Sequence, residues 1–557
     1  MKRKLLSVLL TFCLAFSLLP TAALADEGEG GDAAPAAANG NVAKIGGTEY
    51  TTLAEAITAV ENNGTIELLT DVNNAKGMRV DTKKTFTVDF KGHTYTVSKP
   101  GAGSKDTETN AFQLITGQNI TFKNGTICLA EDNLTASVIP DTSPAKYSNI
   151  RRVIQCYAAL TLEDMTIDAT NVFGSAFPMS FNNQPVNITG NTSVILKPGT
   201  TTAFDADGNW GPYGRCTVTV NTTGTIDGDL ELGSGYLDIK NVKANGVHFC
   251  TSCGPAETTD QIKRISITGG TFTTDVSAYV AEGYVQNENG TVEQLGETNA
   301  VAKVGNTYYK TLAEAVTAAK EAAKTDEIHS ATITLLKNTE LAAEVTLDGN
   351  DSVDNEYPLD ISIDLNNRTL DMKGFSFTIE NGAVLEIFDG QIDSTPKSTT
   401  TAAFYVNAES SCLLDNVTMT TTGVAVFARG DGALAAVNNS NITAGTYAVA
   451  TNAESSDNYN PVFNIVDSTL KGLSPVLVNV PCELNIKNST INGSMHGVIV
   501  RGGTANITGS TITQTYTDND YQQMADYFNE RDWGSGNMIN LGALIVGNKV
   551  TVKAASE

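Results

Sequence analysis

A four-residue unit returns along the second half of this chain at a constant step. Asp467-Ser468-Thr469-Leu470, Asn488-Ser489-Thr490-Ile491 and Gly509-Ser510-Thr511-Ile512 follow one another every 21 residues. Asp389-Gly390-Gln391-Ile392, Asn416-Val417-Thr418-Met419 and Asn439-Ser440-Asn441-Ile442 precede them at looser spacing. The first half carries Asn124-Gly125-Thr126-Ile127, Asp164-Met165-Thr166-Ile167 and Gly269-Gly270-Thr271-Phe272. An Asn/Gly turn followed by a β-branched strand, with a period in the low twenties, is the pattern of a solenoid. One such coil cannot bury its inward residues alone, whereas coils stacked about 4.8 Å apart bury a continuous apolar column. Asn at the turn tolerates the left-handed conformation and can form a ladder with the Asn above it. Unequal spacing then reads as loops of different length leaving one corner. A β-sandwich would give polar and apolar alternation, but not the same tetrad returning in register.

A second, larger repeat encloses the first. Residues 42–57 read VAKIGGTEYTTLAEAI and residues 301–316 read VAKVGNTYYKTLAEAV, an offset of 259. Each copy opens on two short strands joined by a Gly-containing turn. Thr52-x-x-Glu55 and Thr311-x-x-Glu314 fit capping boxes that start a helix. Leu53, Ala56, Ile57 and Val60 form an apolar stripe, repeated by Leu312, Ala315 and Val316, so the spacing predicts an amphipathic helix of three or four turns in each copy. A strand follows at 65–72 and at 331–339. The stripe suits the exposed end of a strand stack, which otherwise presents unpaired edge groups.

Lys2, Arg3 and Lys4, the apolar run Leu5 to Leu19 and Ala23-Leu24-Ala25 have the order of a secretory signal peptide, residues 1–25, with cleavage expected before Asp26. Residues 26–40, rich in Gly, Ala and acidic side chains, are expected to be a disordered linker. The formal charge is −26, and removal of the signal peptide takes away three cations and no anion. Such a polyanion repels nucleic acid and anionic lipid. No later stretch reaches transmembrane length, so no membrane span is expected after signal cleavage. Beyond the signal peptide stand Cys128, Cys156, Cys216, Cys250, Cys253, Cys412 and Cys482, an odd and irregular set unlike a disulfide framework. Cys250-x-x-Cys253 beside His248 reads as a local disulfide, plain thiols or half a zinc site, but no second pair completes four ligands.

The 21-residue coils, the leading helix and IDLNNRTL at 363–370, echoed by VDFKGHTY at 88–95, resemble right-handed parallel β-helix proteins of the pectate-lyase-like superfamily. More narrowly, YTTLAEAI and TIELLTDV followed by such coils resemble secreted surface proteins of gut Firmicutes. The resemblance implies a mainly β fold of two tandem right-handed parallel β-helix solenoids, each opened by a short hairpin and an amphipathic capping α-helix. The expected modules are residues 41–298 and 299–557. GGTFTTDVSAYVAEGYV at 269–285 looks like the closing element of the first module, and the second is expected to be incomplete at its C-terminus.

Enzymes of that superfamily mostly cleave polysaccharides. The Asn-Thr-Asp, Asp-Asp, Gly-His-Gly and Arg-x-Lys segments of polygalacturonases have no counterpart here beyond His496 and Arg501 in SMHGVIVRGG. The Trp-x-Asp-His and Arg-x-Pro-x-x-Arg segments of pectate lyases are also missing. His93, His248, His329 and His496 lie far apart in sequence, and no catalytic residue is assigned. Asp205 and Asp207, in DADGN, and Asp348 and Asp351, in DGNDSVDNE, read as acidic loops with weak calcium-binding character that do not fit an EF-hand loop. No cofactor is expected.

Sparse aromatic residues cluster twice: Trp210 and Tyr213 in GNWGPYG, and Tyr521, Tyr527, Phe528 and Trp533 in an insertion at 515–534. On a solenoid flank they would stack on sugar rings or dock a partner. These features read as a secreted or cell-surface protein with a non-catalytic binding, adhesion or structural role, contacting host or bacterial surface glycans or proteins. The alternative is a carbohydrate-active enzyme, a lyase or hydrolase, working in a groove on one β-helix face.

Overall fold

The structure is a computed structural model that describes residues 40–104, 107–135, 149–174, 177–207, 216–250, 264–325, 329–351, 358–452, 460–517, 542–546 and 550–554. Residues 1–25, read as a signal peptide, and all of the expected linker except Gly40 lie outside them. The described chain is mainly β, in parallel sheets of stacked strands compatible with a β-solenoid, with two α-helices.

Both opening hairpins form as their turns require. Ala43–Ile45 pairs antiparallel with Thr48–Tyr50, and Ala302–Val304 with Thr307–Tyr309. The turns use Gly46 at φ 58° and Gly305 at φ 56°, a region where a Cβ is strained. In each copy the hairpin also pairs antiparallel with the strand that follows the helix, Ala43 opposite Leu68 and Ala302 opposite Leu335.

Helix α1 is Leu53–Ala59 and helix α2 is Leu312–Thr325. Thr52 and Glu55 make the full capping box. In α2 the Glu314 N–H donates to Thr311 Oγ1 at 3.1 Å, but the Glu314 carboxylate accepts from the Lys310 N–H at 3.2 Å, one residue before the cap. The expectation of three or four turns fits α2, with 14 residues, and not α1, with 7. Good helix formers continue through Ala318-Ala319-Lys320-Glu321, whereas α1 runs into Glu61-Asn62-Asn63-Gly64, with Asn63 left-handed at φ 64°. Leu53, Ala56, Ile57 and Val60 are buried, as are Leu312, Ala315, Val316, Ala319 and Ala323. Each stripe lies on the hairpin and on the first strand of the stack, Gly64–Leu68 or Ser330–Leu335. The strands expected at 65–72 and 331–339 are each interrupted after Leu68 and Leu335.

From there the ladders are parallel, and each repeat contributes three strand segments. Val462–Val466, Thr469–Gly472 and Val476–Val478 are followed by Cys482–Lys487, Thr490–Gly493 and His496–Val500. In the second half the first two segments belong to a 17-stranded sheet and the third to an 8-stranded sheet. The tetrads stack in register, Leu470 beside Ile491 and Ile491 beside Ile512. Their first residue makes the bend between segments one and two in the left-handed region: Asn439 at φ 48°, Asp467 at 50°, Asn488 at 51° and Gly509 at 56°. Asn and Asp accept that conformation better than other side chains.

The tetrad serine explains why the motif repeats. The Ser440 N–H donates to Ser468 Oγ at 3.1 Å, the Ser468 N–H to Ser489 Oγ at 3.1 Å, and the Ser489 N–H to Ser510 Oγ at 3.0 Å. Each hydroxyl in turn donates to a carbonyl two residues back, as Ser468 does to Val466 at 2.7 Å. These serines satisfy buried N–H groups that the bend removes from the sheet ladder. The continuous Asn ladder runs mid-strand and not at the turns: Asn506 Nδ2 donates to Asn485 Oδ1 at 2.7 Å, and Asn485 Nδ2 to Asn464 Oδ1 at 2.9 Å. Bend asparagines pair with Asp instead, Asn416 with Asp389 at 2.6 Å and Asn439 with Asp415 at 3.0 Å.

The first half uses the same bends in a 22-stranded sheet, with Asn124 at φ 58°, Asp164 at 53° and Gly190 at 64°. Two long strands, Thr217–Ser234 and Tyr236–Phe249, run several segments together. Gly270–Phe272 then pairs antiparallel with Thr291–Gln294, which also takes Tyr284–Gln286, so the parallel ladder ends within the element expected to close it. Phe86, Phe112, Phe122, Phe181 and Phe204 fill the first core, and Phe377, Phe404 and Phe463 the second.

Candidate functional site

Side chains alternate across a strand, so the residues between core positions define an outer face. On the third segment of the first half the core positions are Ile154 and Cys156, Met179 and Phe181, Phe204 and Ala206, Leu230 and Leu232, and Val247 and Phe249. The residues between them are Gln155, Ser180, Asp205, Glu231 and His248, each in register with the next. They form one polar row, with a side chain about every 4.8 Å.

Neutral hydrogen-bonding groups occupy one end. Gln155 Nε2 donates to Asn182 Oδ1 at 2.6 Å and to Ser180 Oγ at 3.2 Å, while Asn182 Nδ2 donates to the Asp207 carbonyl at 2.7 Å. The other end is acidic. His248 Nε2 meets Glu231 Oε2 at 2.7 Å, and its Nδ1 lies 3.6 Å from Asp229 Oδ2. Ser234 Oγ donates to Asp207 Oδ1 at 2.9 Å.

Asp205 stands between the two ends. It is 6% exposed, and its Oδ1 is buried with no hydrogen-bond donor. Burial, reinforced by the Glu231 and Asp207 carboxylates, pushes its carboxyl up to about 7. Arg152 opposes this electrostatically, but its guanidinium donates to the Phe177 carbonyl at 3.1 Å and lies 4.2 Å from the Phe177 ring centre. An uncompensated carboxylate in such a place is unfavourable by several kcal/mol, of order 3–5, so the group sits near the midpoint between donor and acceptor at neutral pH. A neutral carboxyl beside Glu231 can donate; an ionised one calls for a cation.

The corresponding row in the second half has the opposite chemistry. Thr378, Tyr405, Phe427, Ala450, Leu477 and Ile499 are in register on the 8-stranded sheet. Ala450, Leu477 and Ile499 pack with Tyr405 and Phe427 as an apolar cluster separate from the main core. Arg429 lies 5.4 Å from the Tyr405 ring centre and its Nε donates to Asn407 Oδ1 at 2.7 Å.

Of the residues singled out in sequence, Trp210, Tyr213, Tyr521, Tyr527, Phe528 and Trp533 lie outside the described residues. Asp205 and Asp207 are not in a loop. They belong to the strand Thr202–Asp207, because Phe204 and Ala206 draw that segment into the sheet. Asp348 accepts from the Asn350 N–H at 2.9 Å and from Asn381 Nδ2 at 2.8 Å, and its carboxyl is held low by the Asn381 bond first. Asp351 pairs with Lys320 at 2.6 Å. Among the described residues no group of three or more His, Cys, Asp or Glu side chains is placed to hold a metal ion. Cys250 is disulfide-bonded, which removes its thiolate from any zinc set. Cys156, Cys216, Cys412 and Cys482 are buried free thiols, and desolvation raises all four. His496 is buried, with Nδ1 3.0 Å from Ser474 Oγ one coil earlier.

Sequence reasoning passed over Gln155, Ser180, Glu231 and the role of His248. Their separations are 25 residues from 155 to 180 and from 180 to 205, then 26 to 231 and 17 to 248, so no constant period marks them. The available signal was the alternation in AFDA, LEL and VHF, with a polar residue between two apolar ones each time.

No helix among the described residues is long and apolar enough to cross a membrane. No protein family, curated protein or solved structure matches this chain.

Proposed function

We propose that this chain is an extracellular or cell-surface protein of two tandem right-handed parallel β-helix modules, of the pectate-lyase-like kind, that binds glycans without cleaving them. The observation that carries the reading is the outer row Gln155–Ser180–Asp205–Glu231–His248, one hydrogen-bonding side chain per coil on a rigid sheet. Regularly spaced acceptors and donors on a fixed strand array suit a hydroxyl-rich chain, because little ordering remains to be done on binding. The repeat of three segments, the left-handed bends and the covering helices support the β-helix assignment. The apolar run before Ala23-Leu24-Ala25 and the Cys250 disulfide support export, since disulfides persist in oxidising compartments.

One observation favours a second reading, a glycoside-cleaving enzyme. Asp205, raised to about 7, adjoins Glu231, and a carboxyl kept neutral beside a second carboxylate is the pairing that glycosidases use. A glycan array combined with a reducing-sugar release assay separates the two. Binding without release is expected; release that disappears in Glu231→Gln would replace the first reading with the second.

A further inference from the structure

The least satisfied group on the polar row is Asp205. Its Oδ1 is buried and receives no hydrogen bond, and Arg152, whose guanidinium opposes its burial electrostatically, donates to the Phe177 carbonyl and lies over the Phe177 ring. Glu231 is its register partner on the next strand, and Asp207 lies two residues along. The Glu231 and Asp207 carboxylates both act on Asp205, and among the described residues no cation donates a hydrogen bond to its Oδ1. Buried carboxylates elsewhere in proteins are paired or protonated.

We propose that the Asp205–Glu231 step is a subsite for an organic ammonium group, and that the glycan taken by this face carries free, unacetylated amino sugars. The inference rests on the glycan-binding reading above and names its ligand class.

An ammonium has three donors and no acceptor, matching a place that offers carboxylate oxygens and lacks donors. Charge-assisted bonds to carboxylates are about twice as strong as neutral ones. An acetamido group in the same position brings one N–H, no charge and a methyl that would press on the buried carboxylate. The neighbouring positions favour a sugar over a lysine-rich peptide. Gln155, Ser180 and Asn182, hydrogen-bonded to one another, lie on one side, and His248, which meets Glu231 and faces Asp229, lies on the other. A sugar ring meets polar groups on both sides of a central amine, whereas a lysine tip meets only the acidic centre. A metal ion is a poorer fit, since no group of three or more ligating side chains is assembled among the described residues.

The proton inventory gives the proposal its own signature. Asp205 is near its midpoint at neutral pH, so seating an ammonium against it expels a proton. Binding measured by calorimetry at about pH 6, where the sugar amine and Asp205 are both mostly protonated, then releases protons to the buffer, and the observed heat varies with the buffer's ionisation enthalpy.

The test is calorimetric titration of the protein with a β-linked glucosamine tetramer and with its fully N-acetylated counterpart. Wild type, Asp205→Asn, Glu231→Gln and the turn variant Asp348→Asn are compared. The amine is expected to bind at least about tenfold tighter than the acetylated tetramer, with proton release in wild type and in Asp348→Asn. Both the preference and the proton release should vanish in Asp205→Asn; Glu231→Gln, which keeps Asp205, should lose most of the preference. Should Asp205→Asn unfold, Glu231→Gln and the proton count in wild type still decide. Equal affinity for the two tetramers overturns the proposal, as does a preference unchanged in Glu231→Gln. Displacement of the amine tetramer by short polylysine at matched charge, with no preference among sugars, reassigns the subsite to basic peptides and overturns it as well. A neutral glycan bound without amine preference leaves the general binding reading standing while this inference fails.

Discussion

Asp205 and Glu231 occupy the same register position on neighbouring parallel strands, yet only one of them is satisfied: Glu231 meets His248 at 2.7 Å, and Asp205 Oδ1 meets nothing. The asymmetry leaves Asp205 with a carboxyl raised by burial. Its folded value of about 7 lies above the ordinary 3.8, so between these limits the native state holds more protons than the unfolded chain. Stability therefore falls as pH rises through that window and levels off above about 7, by a total on the order of 4 kcal/mol. Burial sets this first, the Glu231 and Asp207 carboxylates add to it, and Arg152 opposes it. Asp205→Asn should be more stable than wild type at pH 8, with the difference shrinking toward pH 4, as urea denaturation at a series of pH values will report. A variant less stable than wild type at every pH would show that the carboxyl is not the strained group.

The serine stitch makes a sharper demand on a single atom. In Ser468→Ala the buried Ser440 N–H loses its acceptor, and the fold loses about 1–3 kcal/mol. Thr511→Ala, two repeats later on an exposed strand position, should change stability by no more than about 0.5 kcal/mol. Equal effects at the two sites would mean that the stitch carries no special stability.

At the bends, backbone conformation outweighs side-chain identity. Asn488 at φ 51° occupies the place that Gly509 takes one coil later at φ 56°. Asn488→Gly should be nearly neutral and Asn488→Val should destabilise by about 1–2 kcal/mol, measurable as a shift in the urea midpoint. A valine tolerated as well as glycine would contradict the account of the tetrad.

The helices cover the start of each stack, and their stripes are buried. Ala319→Asp places a charge on the underside of α2, where Ala319 is fully buried. Loosening that cover exposes strand-edge groups, so the variant should self-associate under conditions where wild type stays monodisperse by light scattering. Unchanged behaviour would mean that α2 does not act as a cover.

How far the fold could be read in sequence depended on whether a residue type was repeated in place. The hairpins, both helix starts, the buried stripes and the stacking of Leu470, Ile491 and Ile512 all follow from local chemistry repeated at a readable step. The shortness of α1 did not, because it turns on Asn62-Asn63-Gly64 ending a helix whose stripe continued to Val60. The polar row was missed for a different reason. Asp205 was legible as acidic but read as a loop residue, since the core roles of Phe204 and Ala206 become visible only when Met179 and Leu230 stand beside them. Partners separated by 25, 26 and 17 residues come together through coil geometry, and unequal loops hide that step from any periodic search.

The central claim is that the first module holds a glycan on the Gln155-to-His248 row and leaves it intact. Its most direct test is one incubation of the protein and its Glu231→Gln variant with a glycan library, scored for retained glycan and for released reducing ends. The account predicts retention by wild type, clear weakening in the variant and no release from either. Release of reducing ends by wild type, lost in the variant, or retention indifferent to Glu231, would contradict it.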